Sequence, residues 1–251
     1  MLLYEYEILD DHFWGAKRVI FGGEAIPVGN AILMTQKAPE IVFYNGYGTT
    51  ETMGGCIYYA FSNFSDKVDC IPIGAPMIGV TAQIIDENDC PVKKGDIGEL
   101  CVQGDVIANG YYEDLNQTKM KFIQNKTESI GRMYKTGDLV KENDNGDIVY
   151  VGRIDNQIQH NGYRVELEEI EANAKKFEGI NESACIYDPS QRKIVMYYCG
   201  RTAEMELNRY MKSRIPSYMV PNEYIKLEKL PHISNGKIDR VFLKKLWDDS
   251  L

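Results

Sequence analysis

The sequence predicts a mixed fold in three parts: the end of a parallel α/β sheet, a small β-rich subdomain, and an α+β domain. A strand-like run at 17–21 is followed by an apolar-rich helical stretch at 28–34 and by a second buried run that ends before Tyr44. From about residue 72, prolines and glycines separate short alternating runs, and after residue 155 helical spacing and strand-like runs follow each other. The predicted parts are 1–72, the remainder of a large α/β subdomain; 73–154, the β-rich subdomain; and 155–251, the α+β domain.

Each part is predicted from its own pattern. The order strand, helix, strand near the N-terminus is typical of a parallel sheet. In the β-rich part, strands are predicted at 97–102 and at 147–151, the second after an Asn-Asp-Asn-Gly turn. In the last part, Leu167, Ile170, Ala174 and Phe177 fall at helical spacing, strands are predicted at 183–187 and 194–199, and a second helix carries Leu207, Tyr210 and Met211.

Composition excludes several classes of protein. The 251 residues are 44% hydrophobic and 26% charged, as in a soluble globular protein, and the net charge of -9 argues against a nucleic-acid binder. Neither a membrane span nor a signal peptide is evident, since no long apolar run occurs and residues 1–7 lack a basic start. The six cysteines form no C-x-x-C pair and the three histidines are scattered, at 12, 160 and 232. We therefore expect reduced thiols, a cytoplasmic location and no His/Cys metal site.

The stretch 44–55 combines four glycines, three threonines and one acid, Glu51. Gly46 and Gly48 resemble the start of a dinucleotide loop, but the third glycine is missing, and the chain has no Walker loop. Two interpretations remain. The backbone amides and threonine hydroxyls face a phosphate with Glu51 on its Mg²⁺, or the stretch is an ordinary glycine-rich turn.

Three further stretches have both a functional and a plain interpretation. Asp138, beside Gly137, could accept two hydrogen bonds from a ribose diol or could cap its own turn. The polar groups at 152–157 and 162–166 could form a site at a domain junction or a solvated linker. Lys237, in an Asn-Gly turn, could deliver a cation to an anion or could simply lie on the surface.

Together these motifs resemble the adenylate-forming superfamily and, within it, the adenylation domains of nonribosomal peptide synthetases. Six segments carry the resemblance, in the order typical of the family: 45–51 (N-x-Y-G-P-T-E), 98–111 (G-E-L…A-R-G-Y), 134–139 (Y-[RK]-T-G-D-L), 152–171 (G-R-x-D…E-L-x-E-I-E), 216–221 (P-x-Y-M-I-P) and 235–240 (N-G-K-[VI]-D-R).

The resemblance implies a site for ATP or AMP. Tyr47 would stack on adenine, Asn45 would hydrogen-bond the adenine amino group, and Asp138 would bind both ribose hydroxyls. The implied nucleotide-binding set is Gly22, Gly23, Asn45, Gly46, Tyr47, Gly48, Thr49, Thr50, Asp138, Tyr150 and Arg153.

It also implies the chemistry. Glu51 would hold Mg²⁺ and Thr50 would touch the α-phosphate, while Lys237 would bridge the substrate carboxylate and the phosphate. Asp155 would be the hinge about which the C-terminal domain rotates before a phosphopantetheine thiol on a carrier protein attacks the adenylate. The implied substrate is an amino acid, activated as aminoacyl-AMP.

The resemblance places an acyl pocket at Ile20, Gly22, Gly46, Gly54 and Gly55. Four of these five residues have no side chain, which predicts room for a large or aromatic substrate side chain.

The chain also departs from the family. Thr49 stands in place of proline and Asn109 in place of arginine. The residues at 159–161, Gln-His-Asn, replace Lys-Ile-Arg and remove two positive charges near the expected path of the phosphopantetheine arm. The phosphate loop and the acid that binds the substrate amino group do not occur. We therefore expect that about the N-terminal half of an adenylation domain is absent, that the chain alone does not adenylate, and that an uncovered edge strand favours association.

Two alternatives remain from the sequence. The parent enzyme could be another member of the superfamily: a D-alanine–carrier ligase, an aryl-acid ligase or an acyl-CoA synthetase. The chain could also be a non-catalytic remnant that binds a nucleotide or a carrier protein.

Overall fold

The computed structural model describes residues 15–62, 70–125, 131–234 and 236–251. The chain divides into two compact units, Met1–Asp155 and Asn156–Leu251. Each unit packs around its own apolar clusters. The expectations for residues 1–7, His12 and Asn235 lie outside the described residues.

The first unit begins with a four-stranded sheet of order β1-β2-β3-β4. Its elements are β1 (Arg18–Gly22), helix α1 (Val28–Lys37), β2 (Val42–Tyr47), β3 (Ile57–Phe61) and β4 (Ala75–Pro76). β1 and β2 are parallel with α1 between them, which confirms the predicted strand–helix–strand unit. Val19, Phe21 and Phe43 pack with Ala31 and Met34 of the helix, so alternate strand residues cover one face of the sheet.

β2 extends further than the sequence predicts. We expected it to end before Tyr44, but it continues to Tyr47, because Asn45 and Gly46 pair with Tyr59 and Tyr58 of the antiparallel strand β3. β3 was not predicted from the sequence. The first residues of the glycine-rich stretch therefore belong to a strand, and only the remainder forms a loop.

The second sheet of this unit has the order β5-β6-β8-β7, with β9 paired to β8. Its elements are β5 (Val80–Ile85), β6 (Gly98–Gly104), α2 (Leu115–Lys121), β7 (Phe122–Gln124), β8 (Arg132–Glu142) and β9 (Ile148–Arg153). One apolar cluster joins the two sheets, with Ile57 of β3 packed among Leu100, Val140 and Ile148. The two sheets thus share a core within one unit.

The second unit contains a hairpin and a three-stranded sheet of order β12-β13-β14. Its elements are β10 (Gln157–His160), β11 (Tyr163–Glu166), α3 (Leu167–Ala174), β12 (Ile180–Asp188), β13 (Lys193–Gly200), α4 (Glu204–Arg214), β14 (Glu223–Lys226) and α5 (Arg240–Asp248). β13 is buried on both faces: Met196 packs in the cluster of α3 and α4, and Tyr197 in that of α5. The helix predicted to reach Phe177 ends at Ala174, while α5 and β14 were not predicted.

None of the described helices is long and apolar enough to cross a membrane. Within the described ranges, no three His, Cys, Asp or Glu side chains are grouped so as to hold a metal ion.

Candidate functional site

Asp138 receives hydrogen bonds on both carboxylate oxygens. Nη1 of Arg153 lies 2.7 Å from Oδ1, and the hydroxyl of Tyr47 donates to Oδ2. Asp138 and Arg153 face each other across β8 and β9, whereas Tyr47 comes from the first sheet. The side chain of Asp138 is buried, so these charge-assisted bonds fix its orientation.

The backbone around Asp138 explains why a glycine precedes it. Gly137 has φ +78°, a conformation that favours glycine, and a Cβ there would lie 2.7 Å from Nη2 of Arg153. Its amide donates to Oε1 of Glu99 at 2.9 Å, and the amide of Asp138 donates to the hydroxyl of Thr136 at 3.0 Å. The segment is therefore an irregular part of strand β8 in which neighbouring polar groups hold the carboxylate in place.

Burial and charge set the protonation of this cluster. Burial raises the pKa of Asp138, while Arg153 and the hydroxyl of Tyr47 act in the opposite direction. Burial, and then the charge of Asp138, raise the pKa of Tyr47 well above its usual value. Burial likewise raises the pKa of Tyr150, on β9, to about 12, with Asp138 adding to the effect. Both tyrosines are therefore neutral hydrogen-bond donors near pH 7.

Arg153 also contacts Asp155, the last residue of the first unit. Nε and Nη2 of Arg153 lie 2.5 and 2.7 Å from the two carboxylate oxygens, a bidentate pair. Burial alone would lower the pKa of Arg153, but its hydrogen bonds and charge interactions with Asp155 and Asp138 raise it. One guanidinium thus links the buried Asp138 to the residue at the unit boundary.

Glu51 lies in a single 3-10 turn, Thr50–Thr52. Thr49 and Thr52 cap each other, with the amide of Thr49 2.8 Å from the hydroxyl of Thr52. The carboxylate of Glu51 is buried, and the hydroxyl of Tyr111 donates to its Oε1 at 2.7 Å. Thr50 is exposed beside it. The turn therefore presents one fixed carboxylate and one accessible hydroxyl.

The glycines of this region differ in the space around them. A Cβ on Gly48 would lie 2.4 Å from the carbonyl oxygen of Gly54, so close backbone approach requires glycine at 48. A Cβ on Gly46 would lie 3.0 Å from Cε1 of Tyr58, and one on Gly55 would lie 2.3 Å from its hydroxyl oxygen.

The ring of Tyr58 therefore takes part of the space that the sequence predicts to be open over the four pocket glycines. The ring of Tyr58 lies over Gly46 and Gly55, because β3 places Tyr58 directly opposite Gly46. A Cβ on Gly54 would meet nothing within 4 Å, and one on Gly22 would meet only backbone atoms of Gly46. Among the described residues, Gly54 is therefore the one of these four glycines with open space around a built Cβ.

The chain is similar to a family model and to individual proteins of known name. A model of the family described as AMP-binding enzyme matches residues 6–112. Tyrocidine synthase 3 of Brevibacillus parabrevis is 34% identical over 245 residues, which are 95% of this chain and 4% of that protein. Bacitracin synthase 3 of Bacillus licheniformis is 36% identical over 237 residues, 89% of this chain and 4% of that protein.

The chain belongs to the adenylate-forming superfamily. Solved structures agree with this family. The holo form of PA1221, an NRPS protein containing adenylation and PCP domains bound to a vinylsulfonamide inhibitor, superposes with a TM-score of 0.77 at 26% identity, over 92% of this chain and 41% of that one. IdnL1 superposes with a TM-score of 0.83 at 25% identity, over 92% of this chain and 48% of that one. The resemblance and the partial adenylate-forming fold predicted from the six motifs are confirmed, and the chain corresponds to the C-terminal portion of an adenylation domain. It spans less than half of the PA1221 and IdnL1 chains and about 4% of the two synthetases.

For an adenylate-forming chain, the position of Lys237 is of particular interest. It lies in an exposed tight turn of the second unit, closed by hydrogen bonds from the amide of Ile233 to the carbonyl of Lys237 and from the amide of Gly236 to that of Ile233. Just beyond the turn, Nη2 of Arg240 binds both oxygens of Glu171 on α3, at 2.7 and 2.9 Å. An exposed lysine is thus held on a well-anchored turn.

The structure brings together a subset of the predicted residues. Within the first unit, Tyr47, Asp138 and Arg153 are joined by hydrogen bonds. Gly22 pairs with Gly46, and Asn45, which is buried, donates from Nδ2 to the carbonyl of Pro72 at 2.8 Å. Lys237 belongs to the second unit.

Sequence reasoning missed two residues of this region, Tyr58 and Tyr111. Tyr58 could have been found by interpreting the apolar run after Gly55 as a strand, because that strand places Tyr58 opposite Gly46. Tyr111 was noted only as the last residue of a motif, and its bond to Glu51 arises from tertiary packing.

Proposed function

We propose that this chain is the C-terminal part of an enzyme domain that uses ATP to activate an amino acid as aminoacyl-AMP. The domain then loads the aminoacyl group onto the phosphopantetheine thiol of a carrier protein. The observation that supports this most directly is the network in which Tyr47, Asp138 and Arg153 meet, because these residues come from three separate motifs. The presence of adenylation and PCP domains together in PA1221 supports the carrier protein as partner.

Asp138 is suited to bind a ribose diol. A carboxylate offers about four lone-pair sites, and the hydrogen bonds from Tyr47 and Arg153 use one on each oxygen. Each oxygen can therefore accept one more hydrogen bond, from the 2′- and the 3′-hydroxyl. Asn45 donates a hydrogen bond from its amide nitrogen to the carbonyl of Pro72, so its side-chain oxygen is the atom that would accept one from the adenine amino group.

The residues present fit Mg²⁺ beside the phosphates. This ion is commonly bound in nucleotide sites by one or two carboxylates together with phosphate oxygens and waters. Glu51 provides such a carboxylate, oriented by Tyr111 and adjacent to the exposed Thr50. When bound, the ion would offset the negative charge of the phosphates. Thr50 would donate a hydrogen bond to the α-phosphate.

In the first half-reaction, a substrate carboxylate oxygen attacks the α-phosphorus of ATP. The bond to the oxygen that bridges the α- and β-phosphates breaks, and pyrophosphate leaves. Two anions must approach each other, and a cation between them lowers this barrier. Lys237 is proposed as that cation, because it is exposed at the tip of an anchored turn.

We propose Asp155 as the hinge between the half-reactions, because the chain divides into two units directly after it. Rotation about this residue would withdraw Lys237 after adenylation and admit the carrier thiol. The thiol sulfur attacks the carbonyl carbon of the adenylate, and AMP leaves.

The proposal also includes the upstream half of the adenylation domain. Because the chain covers 41% and 48% of two solved relatives, we infer that an upstream half supplies the phosphate loop and the rest of the acyl pocket. The acyl side of this chain is the surface around Ile20, Gly22, Gly46, Gly54 and Gly55. We place the protein in the cytoplasm, since its cysteines are free thiols.

The test is carboxylate-dependent exchange of pyrophosphate into ATP by an intact domain, with this chain joined to the upstream half of an adenylation domain of the family. The panel contains amino acids, D-alanine, aryl acids and fatty acids. We expect exchange with an amino acid and its loss in Asp138→Asn, with Tyr112→Phe, an exposed tyrosine, as the matched control. Exchange with only aryl or fatty acids, or none while the same upstream half is active with its own C-terminal part, would refute the proposal.

A further inference from the structure

Tyr58 lies on the open face of the first sheet, beside the residues proposed to form the acyl pocket. In a sheet, directly paired residues share a face, and residues two apart along a strand do so as well. Ile20 pairs with Tyr44, Gly22 pairs with Gly46, and Gly46 pairs with Tyr58. The opposite face is covered by α1 and its cluster. Tyr58 therefore projects on the same side as the pocket residues.

The contacts of Tyr58 show how its ring is held. Its Cε1 and Cδ1 atoms lie 3.0 and 3.3 Å from a Cβ built on Gly46, and its hydroxyl oxygen lies 2.3 Å from a Cβ built on Gly55. A side chain at either glycine would take the space of the ring. The two glycines thus accommodate Tyr58, in addition to any role they have toward a substrate.

The space that remains is bordered by other residues. Gly54 has nothing within 4 Å of a built Cβ, and the side chain of Ile20 is 65% exposed. The ring of Tyr58 closes the side of this space that lies over Gly46 and Gly55. A substrate side chain on this face would meet that ring before it met the glycine backbone.

We propose that Tyr58 is a specificity-determining residue of the acyl site, which limits the size of the substrate side chain and favours a small or medium one over a large aromatic one. The proposal rests on the proposed function of this surface. It replaces the expectation of a roomy pocket, which was based on glycines alone, with a pocket narrowed by an aromatic ring from the neighbouring strand.

The hydroxyl contact provides a converse test. The substitution Gly55→Ala would place a methyl group 2.3 Å from the hydroxyl oxygen of Tyr58 and 3.2 Å from its Cζ atom. Gly55→Ala should therefore push the ring into the remaining space. Removing only the oxygen, with Tyr58→Phe, should relieve most of that displacement, since 3.2 Å is a tight but reachable contact.

The experiment measures kcat/KM for pyrophosphate exchange, and the binding of aminoacyl sulfamoyl adenosines by calorimetry, in the intact domain over amino acids of increasing size. We expect Tyr58→Ala to raise the preference for large over small side chains by tenfold or more, roughly the effect of one or two buried methylenes. Tyr58→Leu is the conservative second variant, in case the alanine form folds poorly. Tyr58→Phe should keep the wild-type size ranking.

Gly55→Ala should lower kcat/KM for the largest accepted substrate, and the double variant Gly55→Ala with Tyr58→Phe should recover it. Tyr112→Ala is the matched control for loss of a tyrosine ring elsewhere, since Tyr112 is 90% exposed. If the preference for large over small substrate side chains stayed within twofold of wild type in both Tyr58→Ala and Tyr58→Leu, the role of Tyr58 would be overturned and the proposed function would stand. An absence of both exchange and analogue binding in the wild-type domain would overturn the proposed function and this inference with it.

Discussion

The hydroxyl of Tyr111 donates a hydrogen bond of 2.7 Å to Oε1 of Glu51, across 60 residues of sequence. Tyr111 is itself fixed. Its amide donates a hydrogen bond to the hydroxyl of Thr118 at 2.9 Å, and its ring packs edge-on against the ring of Phe122, with the ring centroids 5.7 Å apart. A rigid phenol thus orients the carboxylate proposed to hold Mg²⁺.

Tyr111→Phe is therefore expected to raise the Mg²⁺ concentration needed for half-maximal ATP binding. Partners that orient a metal ligand typically contribute about 10- to 100-fold in metal affinity. The measurement is calorimetric titration of ATP into the intact domain at several Mg²⁺ concentrations. Tyr112→Phe is the matched control. Equal Mg²⁺ requirements in the two variants would show that the bond to Glu51 does not serve the metal.

Lys237→Ala should lower carboxylate-dependent exchange in the intact domain by about a hundredfold or more, the scale for losing one preorganised charge. Lys229→Ala, on an exposed lysine of the same unit, is the control. Transfer of the aminoacyl group from supplied aminoacyl-AMP to a carrier protein should be retained in Lys237→Ala. A rate of pyrophosphate exchange in Lys237→Ala within threefold of the wild-type rate would contradict the role proposed for Lys237.

Asp155→Pro should impair one half-reaction far more than the other, because proline fixes φ at the proposed hinge. Asp155→Ala separates two effects, since it removes the bidentate pair with Arg153 but leaves φ free. Adenylation and thioester formation are measured separately in both variants. Equal slowing of the two steps in Asp155→Pro would indicate general damage and not a hinge.

Arg240→Met should destabilise the second unit by about 2 kcal/mol, because the buried carboxylate of Glu171 loses its charged partner. This value is below that for fully buried pairs, since the Arg240 side chain is 27% exposed. Urea unfolding of the chain measures the change, and Arg209→Ala, on an exposed residue of α4, is the control. In the double variant with Glu171→Gln, most of the loss should disappear, and persistence of the full loss would contradict the account.

The stability of the second unit should depend on Asp188 at acid pH. Burial alone would raise the pKa of Asp188, but hydrogen bonds from Ser190, Trp247 and the amide of Gln191 hold it well below its usual value. Because the folded-state pKa is lowered, the stabilisation is complete above the unfolded-state pKa of about 3.9 and is lost as the pH falls through the folded-state pKa. Urea unfolding between neutral and acid pH, followed by circular dichroism, should show a weaker pH dependence in Asp188→Asn. The exposed Asp249→Asn should behave as wild type, and identical pH slopes in both variants would refute the role of Asp188.

The parts of the fold that sequence predicted have a strong periodic signal. Val19 and Phe21 alternate toward α1, and Leu167, Ile170 and Ala174 lie on one helical face, so each pattern indicates one element. β3 was missed because Ile57–Phe61 is apolar throughout and has no alternation. On one face of β3, Ile57, Tyr59 and Phe61 pack in the apolar clusters, and on the other face the ring of Tyr58 lies beside Gly46 and Gly55, which only the pairing with β2 reveals.

The site shows the same division. The motifs predict functional roles for Glu51, Asp138 and Lys237, because these residue types are tied to the proposed chemistry. The hydrogen-bond partner of Glu51, Tyr111, comes from a distant segment of the chain, and the same holds for Arg240, the partner of Glu171 near Lys237. Nothing in the local sequence of either partner specifies the other. The position of Tyr58 was missed for the same reason: a glycine indicates the absence of a side chain at its own position and says nothing about the neighbouring strand, whose Tyr58 ring lies beside Gly46.

The guanidinium of Arg153 is shared between Asp138 and Asp155, so the hydrogen bonds of these two carboxylates are coupled. In the proposed nucleotide complex, the two ribose hydroxyls would add their hydrogen bonds to those that Asp138 already accepts and would reduce the negative charge that Asp138 presents to Arg153. By reciprocity, the proposed hinge rotation, if it moved Asp155 away from Arg153, would strengthen the bond between Arg153 and Asp138 and change the affinity of Asp138 for the ribose by the same factor. Under the proposed function, one arginine would therefore make nucleotide release depend on the orientation of Asp155.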